Sequence, residues 1–137
     1  MRYHDIVKGQ LRVDEGWRNK PYRDTVGKLT VGCGRNLDDV GLRDDEIAYL
    51  LENDIRVAEN DARTLFVDFE YLSDNRKAVL INMALNLGKT RLSGFQRVIS
   101  AVGQGDWTGA AKEMLQSRWA AQVGQRAQRL ANMMREG

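Results

Sequence analysis

The sequence predicts an α+β fold that is mostly α-helical, with a small β-hairpin lobe and a larger helical lobe. Residues 28–33 alternate as a half-buried strand does, and residues 42–64 repeat apolar side chains at helical spacing with charges opposite. The rest of the chain returns to helical spacing several times. We therefore expect one domain, with a small lobe at about 15–45, an interlobe helix at about 42–64, and a helical lobe at about 65–137 that includes an N-terminal helix at 5–15.

The N-terminal helix is expected to begin with Asp5 as its N-cap and to run to Glu15. Gly16 follows, and glycine readily takes the left-handed conformation that ends helices. After a break in the helical pattern, Gly27 supplies the positive φ of a turn into the strand. Glu15 is therefore placed in the last turn of a helix, close in sequence to a hairpin.

The predicted strand carries several small residues. Cys33 is expected to be a small buried hydrophobe on it. Thr30 is expected on the face opposite to the apolar packing of the hairpin, because side chains alternate along a strand. Gly32 and Gly34 mark places where the backbone approaches another group closely.

The helical lobe is built around an apolar helix over 74–87, which Ser73 caps and Gly88 closes. Its side chains are apolar almost all round, which predicts burial on every side. Asn82 and Asn86 interrupt this helix, so each amide needs a partner or faces a cleft. Three short helices are expected after it, around 95–102, after Asp106, and around 127–134.

The composition excludes several classes of protein. One cysteine and one histidine in 137 residues exclude an internal disulfide and a structural zinc site of Cys and His ligands. No apolar run approaches the roughly 18 residues of a membrane span, and no signal peptide is visible, so we expect synthesis in the cytoplasm without stable membrane insertion. From Tyr71 onward ten Lys and Arg stand against four Asp and Glu, which suggests an anionic partner such as nucleic acid or a cell-wall polymer.

Two carboxylates and one hydroxyl form the strongest candidate site. Glu15 lies at a predicted helix end, and Asp24 and Thr30 lie on the hairpin. The carboxyl end of a helix disfavours negative charge, which suits a proton donor, whereas an exposed turn suits an anion. Glycoside cleavage needs such a division, because one carboxyl group protonates the leaving oxygen while the other activates water or stabilises positive charge. Acidic pairs are common, however, and their spacing alone carries little weight.

Further motifs give this spacing its meaning. In chain order they are Asp14-Glu15-Gly16, Tyr22-Arg23-Asp24-Thr25, Gly27, Thr30-Val31-Gly32-Cys33-Gly34, Leu80-Ile81-Asn82-Met83, Gly88, Gly94-Phe95, Ser117-Arg118-Trp119 and Arg126-Ala127. In these motifs the chain resembles the phage-type lysozymes, glycoside hydrolase family 24, over nearly its whole length. The resemblance implies a two-lobed lysozyme-like fold with glycan bound between the lobes. It implies a muramidase that cuts the β-1,4 bond between N-acetylmuramic acid and N-acetylglucosamine.

The resemblance also assigns roles to residues. Glu15 matches the general acid, Asp24 and Thr30 match the residues that handle the water or the developing cation, and Arg126 matches an arginine that pairs with the catalytic glutamate. Three departures accompany these matches. The family histidine after the Gly-x-Gly segment is Arg35, which leaves the hydrogen bonding of Asp24 open and would add a cation near the substrate. An aromatic residue and a glutamine of the cleft-facing helix are Leu85 and Asn86, which predicts fewer glycan contacts. One family helix between the hairpin and the long helix is missing, which predicts a smaller first lobe.

The resemblance implies peptidoglycan glycan strands as the partner, no nucleic acid, no metal or cofactor, and a monomer. It implies a bacteriolytic endolysin that reaches the wall through a separate membrane-hole-forming protein and lyses the host, or a virion module that digests the wall. Two alternatives stay open. A lytic transglycosylase on the same substrate needs only one acid/base carboxyl group. A wall-binding or nucleic-acid-binding phage protein without catalysis would use the basic half of the chain.

Overall fold

A computed structural model describes residues 2–137, and the chain divides into two compact units, Met1–Tyr49 and Leu50–Gly137. The elements are α1 (Tyr3–Glu15), β1 (Arg18–Arg23), β2 (Leu29–Gly32), β3 (Arg35–Asn36), α2 (Asp44–Leu65), a 3₁₀ turn (Phe69–Tyr71), α3 (Asp74–Leu87), α4 (Lys89–Ser93), α5 (Gln96–Gly103), α6 (Trp107–Leu115), α7 (Arg118–Val123) and α8 (Gln125–Glu136). They confirm the α+β, mostly α class. Within the described range, no helix is long and apolar enough to cross a membrane. The predicted lobe boundaries stay predictions, and α1 falls in the first unit.

The first helix, α1, begins at Tyr3, two residues before the expected start. Asp5 is not its N-cap, because Arg2 holds that position without a side-chain hydrogen bond. Asp5 lies instead in the first turn, where a negative charge is also favoured. The helix ends at Glu15 as predicted, and Gly16 follows with a φ of +81°. Because only glycine takes a positive φ at little cost, the sequence itself fixes the helix end that carries Glu15.

The small sheet has the strand order β1-β2-β3 and is antiparallel. β1 pairs Tyr22 with Thr30 and Arg18 with Gly32, so β1 carries more residues than β2 between the two pairs. Pro21 lies in this irregular stretch. A proline has no N–H to donate, and an edge strand such as β1 tolerates it.

The β2–β3 turn corrects the prediction for Cys33. β2 ends at Gly32, and Cys33 is an exposed residue in the turn, so it is not a buried side chain of the strand. Gly32 and Gly34 bend the chain there with φ values of +69° and +77°. Thr30 is the buried side chain of β2, with 4% exposure, because β2 is the central strand. The prediction that Thr30 lies on the face of the hairpin opposite to its apolar packing stays a prediction.

A helix-free connection, 37–43, joins β3 to α2, as predicted from the missing family helix. α2 begins at Asp44 and ends at Leu65, within two residues of the prediction, and three acidic residues occupy its first turn. Its buried residues are Ala58 and Ala62, one turn apart and both in the second unit. Small side chains at this spacing allow close approach to the neighbouring core.

The central helix of the second unit, α3, has the predicted bounds. Ser73 accepts a hydrogen bond from the N–H of Arg76, and Gly88 follows the helix with a φ of +80°. Burial on every side was expected and is wrong, since Leu85 is 44% exposed. The buried side chains of this helix are Val79, Leu80, Met83, Ala84 and Leu87. Their spacing of three and four residues gives the helix one buried face despite its apolar composition.

All buried apolar side chains among the described residues lie at Ala58 or later in the chain. Five short helices follow α3, whereas three were expected. The sequence predicts neither α4 nor α7, because each buries only one side chain, Leu92 in α4 and Trp119 in α7. One apolar position is too little for a periodic pattern to be recognised.

Candidate active site

Glu15 ends α1 with an exposed side chain that lies against the backbone of Gly34. A Cβ atom at Gly34 would lie 2.8 Å from Oε2 and 3.0 Å from Cδ of Glu15, closer than real side chains approach. Gly34 therefore makes room for the Glu15 carboxyl group, and the predicted close approach at Gly34 is confirmed. Gly32 differs, since a Cβ there would meet nothing within 4 Å. The expectation of a close approach at Gly32 is wrong, and its role is the positive φ of the turn.

Asp24 follows β1, and its carboxylate organises the turn into β2. Its Oδ1 accepts hydrogen bonds from the N–H groups of Val26 at 3.0 Å and Lys28 at 2.8 Å. The Asp24 N–H donates to the Lys28 carbonyl at 2.9 Å, and Gly27 donates to the Asp24 carbonyl. The backbone thus supplies the hydrogen bonding of Asp24 that the sequence left open. No donor in residues 2–137 engages Oδ2, which is left to accept from a ligand or water.

Thr30 lies close to Asp24 through a shared peptide group. Its hydroxyl donates to the Lys28 carbonyl at 2.9 Å, and the same carbonyl accepts the N–H of Asp24. The peptide of Lys28 therefore brings two of the predicted site residues together. Because the Thr30 hydroxyl has used its proton, its oxygen can only accept a hydrogen bond from an approaching water.

Lys28 is the contributor to this arrangement that the sequence does not reveal. It acts through its backbone N–H and carbonyl, so its side-chain type carries no signal for the role. The indirect signal is Gly27, whose φ of +84° allows the tight turn that folds Lys28 back onto Asp24. Among the residues described, no group of three or more His, Cys, Asp or Glu side chains is arranged to hold a metal ion.

Arg35, on β3, makes no hydrogen bond to Asp24. Its guanidinium donates to both carboxylate oxygens of Glu46 at 2.8 and 2.6 Å, and to the Gly41 carbonyl at 3.1 Å. The Arg35 hydrogen bonds and the N–H of Arg43 lower the pKa of Glu46 from 4.5 to about 2. The hydrogen bond from Arg35 to Glu46 likewise raises the pKa of Arg35. The added cation is thus paired, and a role for Arg35 in substrate binding stays a prediction.

The remaining predicted residues lie in the second unit. Asn86 accepts a hydrogen bond from the indole N–H of Trp119 at 2.7 Å. Asn82 accepts two from the guanidinium of Arg126, at 3.0 and 2.7 Å. Both asparagines therefore have the partners that the sequence required of them. The pairing of Arg126 with the catalytic glutamate, and glycan contacts of the half-exposed Leu85, stay predictions.

The sequence matches the phage lysozyme family over residues 12–136, a range that includes every candidate site residue. This chain belongs to the phage lysozyme family. The protein is therefore a glycoside hydrolase of the lysozyme type, which confirms the predicted muramidase class at the level of the family.

Individual relatives support the same assignment to the phage lysozymes. A Dictyostelium discoideum protein described as "Probable T4-type lysozyme 2" is 28% identical over 160 residues, covering 96% of this chain and 94% of the relative. A second protein of that organism, "Probable T4-type lysozyme 1", is 27% identical with the same coverage. The pre-baseplate central spike protein Gp5 of Enterobacteria phage T4 is 26% identical over 155 residues, covering 93% of this chain but 27% of Gp5.

Proposed function

We propose that this phage lysozyme hydrolyses the β-1,4 bond between N-acetylmuramic acid and N-acetylglucosamine in bacterial peptidoglycan. Glu15 is the general acid, and Asp24 and Thr30 position the attacking water. The observation that supports this best is the backbone of Lys28, whose N–H donates to the Asp24 carboxylate and whose carbonyl accepts from both the Thr30 hydroxyl and the Asp24 N–H. Acceptors that are held in place in this way can orient the attacking water towards the sugar carbon.

Asp24 and Thr30 offer complementary acceptors to that water. Oδ1 of Asp24 is occupied by two backbone N–H groups, so Oδ2 is the oxygen that receives a hydrogen from water. The Thr30 oxygen accepts the second hydrogen, since its own proton goes to the Lys28 carbonyl. A water held by both hydrogens directs its lone pair at the sugar carbon, and Asp24 takes the proton as the bond forms. This role for Asp24 favours inversion, in which water attacks directly, over a covalent intermediate.

Glu15 suits the role of proton donor to the leaving oxygen. It ends α1 with an exposed side chain, so its carboxyl group is accessible to a bound substrate. No cation in residues 2–137 forms a salt bridge with it, so no ion pair competes with a contact to the leaving oxygen. We assign substrate contacts to Arg35, Leu85, Asn86 and Arg126, as the family resemblance implies.

The deciding experiment measures clearing of purified peptidoglycan by the wild type and by Glu15→Gln. We expect the variant to fold normally and to lose activity by at least about 10²-fold, the usual contribution of a general acid. Glu52→Gln is the matched control, because Glu52 is an exposed carboxylate on α2. Near-normal clearing by Glu15→Gln would end the assignment of Glu15.

Product analysis separates the hydrolase from a lytic transglycosylase. A hydrolase releases reducing N-acetylmuramic acid ends, whereas a transglycosylase releases anhydro-muramic ends and needs no water-activating aspartate. Asp24→Asn therefore distinguishes them as well. It lowers the rate of a hydrolase by roughly 10²- to 10⁴-fold and leaves a transglycosylase largely active. Anhydro products together with an active Asp24→Asn would favour the transglycosylase.

We propose that the enzyme acts as an endolysin, made in the host cytoplasm and released to the wall through a separate membrane-hole-forming protein. The similarity to part of Gp5, a central spike protein, supports a second candidate, a virion-associated module. Mass spectrometry of purified particles of the encoding phage separates the two, because only a virion module is present in them at a fixed stoichiometry.

A further inference from the structure

We propose that Arg18, held on the ring of Tyr22, binds a carboxylate of the acidic substituent on the N-acetylmuramic acid residue of the glycan strand. This inference rests on the proposed function and adds a subsite to it. The subsite lies on the first unit, on the same face of the sheet as Thr30. It would make the enzyme favour acidic glycan strands over neutral ones.

The strand register places the residues of this subsite on one face. Tyr22 is directly opposite Thr30, and Arg18 is directly opposite Gly32. Directly opposed residues of antiparallel strands project to the same face, as do residues two apart on one strand. Arg18, Tyr22 and Thr30 therefore share a face. The guanidinium carbon of Arg18 lies 4.7 Å from the centre of the Tyr22 ring, which agrees with this placement.

The local sequence explains how Arg18 reaches Tyr22. The irregular stretch of β1 around Pro21 contains extra residues, and it brings Arg18 back over the Tyr22 ring. The opposing residue, Gly32, has no side chain, and a Cβ there would meet nothing within 4 Å. The space above Gly32, opposite the backbone of Arg18, is therefore open.

Several cations of the first unit have no acidic partner, and among those described Arg18 is the one whose guanidinium lies over an aromatic ring of the sheet, whereas Arg12, which lies over Trp17, belongs to α1. In the first unit Arg23 pairs with Asp38, Lys28 with Asp39, Arg35 with Glu46 and Arg43 with Asp45. Arg18 forms no salt bridge with any carboxylate of the described chain. Its guanidinium carbon lies over the Tyr22 ring, and its N–H groups make no hydrogen bond to the described residues, so they can donate to a ligand. A fixed guanidinium edge matches a carboxylate, which accepts two parallel hydrogen bonds.

The proposed substrate supplies such a carboxylate. N-acetylmuramic acid carries a lactyl ether, which bears either its own carboxylate or, through an amide, a peptide with further carboxylates. N-acetylglucosamine carries no acidic group. An unpaired cation on the face of Thr30 would therefore distinguish the two sugars and fix the register in which the strand binds. The shared chemistry is a carboxylate on the muramyl substituent, from either source.

The test measures dissociation constants on three preparations of the same glycan strands. The first keeps its peptides, the second is stripped to free lactyl carboxylates, and the third is stripped and then converted to neutral lactyl methylamides. Glu15→Gln serves as the background, so that strands are not cleaved during the titration. Arg18→Gln, Arg18→Lys and the control Arg56→Gln are added to it. Arg56 is an exposed arginine of α2 that bonds only to Asn53.

Arg18→Gln is expected to weaken binding of an acidic strand by about 10-fold, as for loss of a charge-assisted hydrogen bond, and of the neutral strand by less than about 2-fold. Arg18→Lys restores part of the affinity, because it keeps the positive charge but cannot donate the two parallel hydrogen bonds of a guanidinium. Arg56→Gln leaves all three constants unchanged. A loss confined to the first preparation assigns the carboxylate to the peptide, a loss confined to the second assigns it to the free lactyl group, and a loss on both shows that Arg18 binds either carboxylate.

Equal weakening on all three preparations, or none on any, overturns the subsite. These outcomes differ from failure of the proposed function, which shows in the wild type as absence of reducing muramic ends on peptide-bearing strands. Circular dichroism and the melting temperature of each variant confirm that exposed Arg18 can be replaced without loss of fold.

Discussion

Gly34 is the residue on which the position of the Glu15 side chain depends most directly. Its φ of +77° is one that other residues resist, and the missing Cβ leaves the space that the Glu15 carboxyl group fills. Two requirements thus meet at one position, the bend of the turn and the room for the proposed proton donor. A substitution there has both a backbone and a catalytic consequence.

Gly34→Ala is expected to lower the free energy of unfolding by about 1–2 kcal/mol, because an L-residue must take a left-handed conformation. It should also reduce activity well beyond that loss, because the new Cβ displaces the Glu15 carboxyl group. Gly105→Ala is the control, with a similar φ of +70° and an ordinary 3.8 Å contact to Trp107. Equal residual activity of the two variants at matched folded fraction would argue against positioning of Glu15 by Gly34.

At the scale of elements, the ion pair of Arg35 and Glu46 joins β3 to the first turn of α2. The pair is bidentate, and Glu46 also accepts a hydrogen bond from the backbone N–H of Arg43 at 2.8 Å. The first turn of a helix favours a carboxylate in any case. The pair therefore fixes the short connection from the sheet to the long helix, next to the turn that contains Gly34.

The lowered pKa of Glu46 makes this contact sensitive to acid. A carboxylate whose pKa is lower in the folded than in the unfolded protein contributes stability above its ordinary pKa, and loses it as the pH falls. For Glu46 that window runs from 4.5 down to about 2. Glu46→Gln should therefore lower the melting temperature above pH 4.5, and the difference from wild type should shrink towards pH 2. A constant difference across this range, or one shared by Glu52→Gln, would contradict the assignment.

At the scale of the whole molecule, the two units differ in how they are stabilised. Every buried apolar side chain of the described residues belongs to the second unit, including Met83, Met114 and Trp119. The first unit has one buried residue, Thr30, and is held by turns, a small sheet and ion pairs. Since burial of apolar surface is the main stabilising contribution, the second unit carries most of the stability.

Native-state hydrogen exchange should therefore separate the units. Amides of β2 and α1 are expected to exchange through openings of lower free energy than amides of α3, α6 and α8, which surround the core. Exchange measured at increasing low concentrations of denaturant gives these energies residue by residue. Equal protection in β2 and α3 would show that the molecule opens only as a whole.

Several features follow from the sequence because their causes are local. The bounds of α3 come from the Ser73 cap and from Gly88, and the end of α1 comes from Gly16. The Gly27 turn and the acidic first turn of α2 have equally short-range causes. Capping and backbone preference act within a few residues, so they can be predicted without knowledge of the fold. The family motifs then connect Glu15, Asp24 and Thr30 to one chemistry.

Other features depend on groups that are distant along the chain. Arg35 binds Glu46 eleven residues away, and Glu15 at the end of α1 contacts Gly34 in the β2–β3 turn, and no local preference specifies either contact. The exposure of Cys33 and the burial of Thr30 depend on where β2 ends and on which strands flank it. The sequence by itself determined the helix ends, the turns and the chemistry of the candidate residues, because these depend on neighbouring residues. Only the tertiary structure decided which side chains are paired, covered or left open, because packing and pairing join residues that the chain keeps apart.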